Sequence, residues 1–270
     1  MGPDAKAVGL GPSHMDGPRK YRTGDAATVR TSRSDRASDS RIRYRAASAR
    51  GGAASAGRIR FGITPTLGPY VMPGVIADLH RENPELRLFI KEGIPSLQMA
   101  ELADGKLDMM VAPLPVVGDM FELEPLFREP MHIVAPPDHQ LAMRKNLSEK
   151  DLAGATFLSL DHRHHYHAQV QTICTRVGAH ILGDYEGTSL DSLRQMAGSG
   201  VGLAILPELY VRSESGGTEM VTGLRPKDWS EFRSIVAVWR RNAAFSSVYR
   251  EIANRIADHG RGLMQAGTNK

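Results

Sequence analysis

The stretch LDHRHHYHAQVQTIC, residues 160–174, holds four of the chain's ten histidines and its only cysteine. Imidazole nitrogens bind zinc, copper or nickel, and His164 and His167 lie three apart, one helical step on the same side. His162 and His165 can approach from the adjoining loop and Asp161 can add an oxygen, so a labile metal site on His164, His165 and His167 is one expectation. Against it, H-x-x-H falls short of a recognised metal motif and adjacent histidines often lie on a solvated surface. Cys174 also has two readings. Tyr166, Val170, Ile173, Cys174 and Val177 recur at helical spacing, which makes the thiol a small apolar core group. A redox role would need a reactive thiolate and a second sulfur, and one cysteine excludes a disulfide within the chain.

A second set of chemical groups is hydroxylic: Thr64 and Thr66 after the first strand, Ser96 before one helix, and Thr188 with Ser189 before another. In an open parallel sheet, ligands sit outside the carboxyl ends of the strands, where helix N-termini present free N–H groups to anions. These five residues fall at such junctions, so they are expected to share a polar pocket. Simple N-capping is the commoner role of an isolated Ser or Thr there.

The elements that position these groups alternate along the chain. In RIRFGIT, Ile59, Phe61 and Ile63 alternate as in a strand, and TPTLGP is a turn. PYVMPGVIADLHRENP places Val71, Met72, Val75, Ile76 and Leu79 on one helical face before Pro84. The strand LRLFI, the helical SLQMAELADGKLD and the strand MMVA follow, and this alternation predicts a parallel sheet with helices on its faces. After Pro136 and Pro137 the rhythm restarts. Ser148 and Asp151 form a capping-box pattern, TFLSL reads as a strand and HAQVQTICTRVGA as a long helix. TSLDSLRQMAGSG is a capped helix closed by glycines, VGLAIL a buried strand, and Pro207 suits the first turn of a further helix. SIVAVW is a late strand, and FSSVYREIANRIADHG an amphipathic terminal helix. Two similar α/β lobes are expected.

Composition narrows the function classes. Of the 270 residues 41% are hydrophobic and 24% charged, which suits a globular protein, and no apolar run approaches a membrane span. With no apolar signal-peptide core at the N-terminus, a cytoplasmic location is expected. The pI of about 9.3 is misleading, because residues 1–57 hold 11 Lys and Arg against 5 Asp while the remainder holds 23 against 25 acidic residues. That first segment has only Val8, Leu10, Val29 and Ile42 as large aliphatics and reads as a disordered basic tail, 1–57, with no helix-turn-helix. No G-x-S-x-G elbow, P-loop or H-E-x-x-H occurs, and GSGVG follows a helix, not a strand. The chain is therefore read as a non-enzyme without a cofactor.

The runs RIRFGITPTLGPYVMPGVIADLHRENPELRL, EGIPSLQMAELADGKLDMMVA and EGTSLDSLRQMAGSGVGLAILPEL resemble the effector-binding region of LysR-type transcriptional regulators, most of all its peroxide-sensing branch. The resemblance spans 58–270 and rests on its motifs jointly. It implies an α/β fold of two Rossmann-like lobes, like the type II periplasmic-binding proteins. Lobe I would be 58–135 plus 236–270 and lobe II 136–235. It also implies a small-molecule effector between the lobes, side-by-side homodimerisation, no membrane, and DNA contact only through a winged helix-turn-helix, not evident in these residues. With the strand-end argument above, an effector is expected to bind around Thr64, Thr66, Ser96, His164, His165, Thr188 and Ser189. Laid against the branch's Gly-His-Cys-Leu-Arg run, His164 falls at the histidine, His165 at the peroxide-reactive cysteine and Cys174 at the second cysteine. Without the first thiolate, disulfide-based peroxide sensing lacks its nucleophile. The alternatives are a metal-responsive sensor using the His162–His167 cluster, or a transporter's solute-binding protein with the same two-lobe fold.

Overall fold

The structure, a computed structural model, describes residues 58–213 and 220–265, so the expected tail 1–57 lies outside the described residues. In chain order the elements begin with β1 (Arg58–Ile63), α1 (Gly68–Glu82), β2 (Arg87–Glu92), α2 (Pro95–Ala103), β3 (Met109–Pro113) and β4 (Phe121–Ala135). Next come β5 (Thr156–Phe157), α3 (His165–Val177), β6 (His180–Ile181), α4 (Leu190–Gly198), β7 (Ala204–Pro207) and α5 (Glu208–Ser213). The last are β8 (Thr222–Leu224), β9 (Phe232–Arg240) and α6 (Ser246–Gln265).

β2, β1 and β3 pair in parallel, each crossover carrying a helix. The sheet is mixed, not wholly parallel as the alternation predicts, because β9 joins β3 antiparallel and β4 joins β9 antiparallel. Fully buried Phe61, Ile63, Met109, Val111, Ala237 and Trp239 present one face of this sheet to α1 and α6. Leu102, Met110, Ala112, Val236 and Val238 form a smaller core on the other side, under α2. α1 and α6 approach closely because Gly74 has no side chain: a Cβ there would lie 2.1 Å from the His259 ring. Gly260 serves the same purpose against Phe127, whose ring is 2.4 Å from where a Cβ would stand.

A second core gathers Met131, Ile133, Phe157, Leu158, Val170, Ile173, Cys174, Leu193, Ile205 and Leu206. β7 and β8 pair with the C-terminal part of β4, and β5 pairs in parallel with β6. β4 is thus a single 15-residue strand shared by both sheets. Its side chains change core between Phe127 and Met131. The stretch 121–130 carries Pro125 and Pro130, residues that ordinarily interrupt a central strand. Here the ladder absorbs Pro125 at an irregularity, with a register shift between Pro125 and Phe127.

Several local expectations match: Ser148 and Asp151 form a capping box, Ser189 caps α4 with a second box through Ser192, and Gly178 closes α3 at φ 72°. Others shift. TFLSL is regular only over Thr156–Phe157, and Pro207 ends β7 in the ladder opposite Met131 instead of opening α5. The whole is the α/β, two-lobed arrangement of the type II periplasmic-binding proteins.

The two helical glycines of α6 give a paired prediction. Gly260→Ala is expected to lower unfolding stability by about 1–3 kcal/mol through overpacking against Phe127. Gly262→Ala, with nothing within 4 Å, should raise it by up to about 1 kcal/mol through helix propensity. Urea denaturation of the two variants checks both signs.

Candidate functional site in the cleft

Where the two cores face each other, a small solvent-connected cleft is lined by Thr64, Thr66, Pro95, Pro113, His164, His165, Tyr166, Gln169 and Arg233. Every lining group is delivered by the end of an element. Thr64 and Thr66 follow β1 in a turn whose backbone is fixed by Leu67 and Gly68 N–H donating to the Thr64 carbonyl at 3.0 and 2.9 Å. Pro95 opens α2 and Pro113 ends β3. The three residues from 164 to 166 and Gln169 belong to the start of α3, where His164 is the N-cap residue with extended backbone and makes no side-chain cap.

The floor is a buried polar network. Glu129 on β4 and Arg233 on β9 stand opposite each other in the ladder, 0% and 3% exposed at their side chains, with Arg233 Nε donating to Glu129 Oε2 at 2.8 Å. Glu129 Oε1 accepts the Leu209 backbone N–H at 2.9 Å, tying in the start of α5. Arg233 Nη1 donates to Thr66 Oγ1 and Nη2 to the Thr66 carbonyl, each at 2.8 Å. Thr66 Oγ1 also lies 2.9 Å from Thr64 Oγ1. One ion pair thus joins β4 and β9 to the turn after β1. Outside the lining, the buried Gln98 amide donates to the Ile63 and Lys91 carbonyls at 3.2 and 2.8 Å and holds the ends of β1 and β2 together.

From the opposing wall, Tyr166 donates its hydroxyl to the Ile205 carbonyl at 2.5 Å, and burial pushes its pKa up. His165 Nδ1 lies 3.2 Å from the Pro113 carbonyl and Gln169 Nε2 donates to the Phe232 carbonyl at 3.1 Å, so α3 is bonded across the cleft. A carbonyl can only accept, so the His165 proton sits on Nδ1. The His164 ring is half-buried; burial is the main cause holding its pKa below the ordinary value, with Asp161 opposing and Arg163 and His165 reinforcing.

Of the seven residues expected at the site, Thr64, Thr66, His164 and His165 line the cleft together. Ser96 is exposed in the first turn of α2, which starts one residue earlier at Pro95. Thr188 and Ser189 are exposed, and Ser189 is occupied as the cap of α4. Arg233, Glu129, Gln169 and Tyr166 were not foreseen. Glu129 and Arg233 are opposite charges separated by 104 residues, and only the β4–β9 register brings them together.

The histidine stretch does not converge on an ion. Among the described residues, the one group of three ligand-type side chains with donor atoms all within 4.8 Å is Asp161, His162 and Glu186. His164, His165 and His167 form no such group: His165 turns to Pro113, and His167 Nδ1 lies 3.1 Å from the Leu160 carbonyl. Both oxygens of Asp161 are engaged by Arg163. Cys174 is fully buried, and burial pushes its thiol up to about 11.

Residues 52–261 match the family described as the LysR substrate binding domain. The chain is 32% identical over 216 residues to the hydrogen peroxide-inducible genes activator of Pectobacterium carotovorum subsp. carotovorum, covering 79% of this chain and 70% of that one. It is 32% identical over 207 residues to the DNA-binding transcriptional dual regulator OxyR of Escherichia coli K12, covering 76% and 67% respectively. The crystal structure of the oxidised form of OxyR superposes with a TM-score of 0.67 at 32% identity, covering 77% of this chain and 97% of that one.

Two outcomes are expected. Glu129→Ala should cost about 3–5 kcal/mol in urea unfolding because Arg233 is left buried and unpaired, whereas replacing both by Met should cost less than either single change. Cys174 in the folded chain should resist alkylation by iodoacetamide at pH 7, reacting only on the timescale of unfolding.

Proposed function

From the premise that the chain belongs to the LysR substrate binding domain family and is the effector-binding domain of an OxyR-like regulator, we propose that it senses a small molecule in the cleft between its lobes. The observation that carries this is the cleft floor: Arg233, Thr66 and Thr64 form a connected set of polar groups on β9 and the turn after β1, held to β4 through Glu129. A ligand bonded to that floor and to His164 or Gln169 on α3 would favour one relative placement of the lobes over another. Differential affinity for two placements is what converts binding into a signal.

Lobe I comprises β1 to β3, the first half of β4, the second half of β9 and α6; lobe II comprises the elements between them. The signal would reach DNA through a helix-turn-helix that is not among the described residues. A homodimer is supported by the outer edge of β2, which has no strand partner among the described residues and carries Phe89, 45% exposed. Among the described residues no helix is long and apolar enough to cross a membrane, and we place the protein in the cytoplasm.

The relatives' names link them to hydrogen peroxide. This chain handles its effector without thiol chemistry, because its one cysteine is buried with a raised pKa and a histidine stands beside the floor at position 165. A non-covalent effector is the consistent reading.

Thermal-shift screening of the whole chain tests this. A ligand at about a hundred times its Kd should add about 2.7 kcal/mol to the folded state. Thr66→Val and Gln169→Ala should abolish the shift while keeping the ligand-free melting temperature within a few degrees. A shift that survives both variants would move the effector out of the cleft.

A further inference from the structure

The ties between the two halves of the molecule differ in kind. Most are buried. Leu209 on α5 sits in the core under α1 and α6 while its neighbour Tyr210 belongs to the second core, and Tyr70 of α1 meets the Tyr210 ring edge-on, centroids 5.7 Å apart. The Glu129–Arg233 pair holds Thr66 from within the floor. α3 is tied differently. Its buried side chains, Tyr166, Val170, Ile173, Cys174 and Val177, all belong to the second core. Toward the other half it offers polar groups instead: His165 and Gln169, four residues apart on one helical face and each partly buried.

Their acceptors are carbonyls that the sheet leaves over. The Leu114 N–H donates to the Ser234 carbonyl at 2.9 Å, so Pro113, one residue earlier, turns its own carbonyl to the β1 side of β3. There the ladder has already stopped, its last pair being Ile63 with Val111. Phe232 lies two residues before Ser234 and presents its carbonyl on the same edge of β9, beyond the point where β3 ends. A backbone carbonyl away from water needs a donor. His165 Nδ1 and Gln169 Nε2 supply these two, at 3.2 and 3.1 Å.

We propose that His165 is a latch that holds the cleft shut, with Gln169 as a second hold one turn further along α3. The inference concerns how the cleft opens and is independent of what enters it. With the His165 ring bonded across to Pro113, the cleft has room for about one water molecule. Anything larger needs the latch released.

Release on this side is cheap. It breaks two side-chain hydrogen bonds and leaves every buried apolar side chain of α3 in its own core. One such bond weights an equilibrium by a factor of about five, so the latch can open and reset. Parting the halves elsewhere would draw Leu209 out of its core or Arg233 off Thr66. The α3 side is where the cleft gives way.

The test is pulsed electron spin resonance on the whole chain, with nitroxides at Leu97→Cys on α2 and Gln171→Cys on α3, both exposed positions, while the buried Cys174 stays unlabelled. A control pair, Met143→Cys with Gln171→Cys, lies within the second half and reports whether α3 keeps its seat. His165→Leu fills the place of the ring but cannot donate; His165→Asn puts an amide donor where Nδ1 stands. The parent and His165→Asn should share one narrow Leu97–Gln171 distribution. His165→Leu should raise the longer-distance fraction about fivefold, and adding Gln169→Ala should multiply it again. The control distance should not change in any of them. A parent-like distribution in the double variant overturns the latch. An equal shift in His165→Asn overturns it as well, since ring size and not the hydrogen bond would then be the cause. So does a changed control distance, which would mean that α3 had left its own core.

Discussion

The buried pair of Glu129 and Arg233 sits where the rest of the molecule meets. Its members lie on β4, the strand that also pairs with β7 and β8, and on β9, and each reaches onward, Glu129 to the head of α5 and Arg233 to the turn after β1. Desolvating two charges is costly, and such a pair is tolerated where each remaining lone pair and N–H finds a partner. Here Glu129 spends both oxygens and Arg233 three of its five N–H groups within the network. The pair is therefore weak as a source of stability and strong as a constraint, since it pins the register of β4 against β9 and with it the position of the lobes' facing walls.

Much of this was legible in the sequence because it is local. The alternation of Ile59, Phe61 and Ile63, the helical face of α1, the Ser189 cap and the Gly178 stop are fixed by neighbours within a few residues. Thr64 and Thr66 could be named for the same reason, since a strand end followed by a helix start defines their place. What stayed hidden is non-local. β4 hid behind its two prolines, and Arg233 gave no signal because its meaning depends on a partner far away in sequence. Ser96 was misplaced by one residue of helix phase: Pro95 opens α2, and that step turns the serine to solvent.

The histidine stretch illustrates how one segment divides its labour. His162 and Arg163 lie in solvent, His164 and His165 face the cavity, His167 bonds back to Leu160, and Cys174 is inside the second core. Four imidazoles close in sequence are separated in space because a helix begins at His165 and sends successive side chains about 100° apart. Sequence proximity suggested a cluster; the helix start dispersed it.

The continuity of β4 through both sheets governs how the two halves can move. A loop hinge lets bodies drift apart, whereas a pair of antiparallel strands laced by backbone hydrogen bonds resists stretching and yields to torsion. The irregularity at Pro125–Phe127 is where such a ribbon is least laced, only a few residues from the ion pair. Any relative rotation of the two halves must therefore pass through β4, and whatever grips Arg233 holds that strand through Glu129.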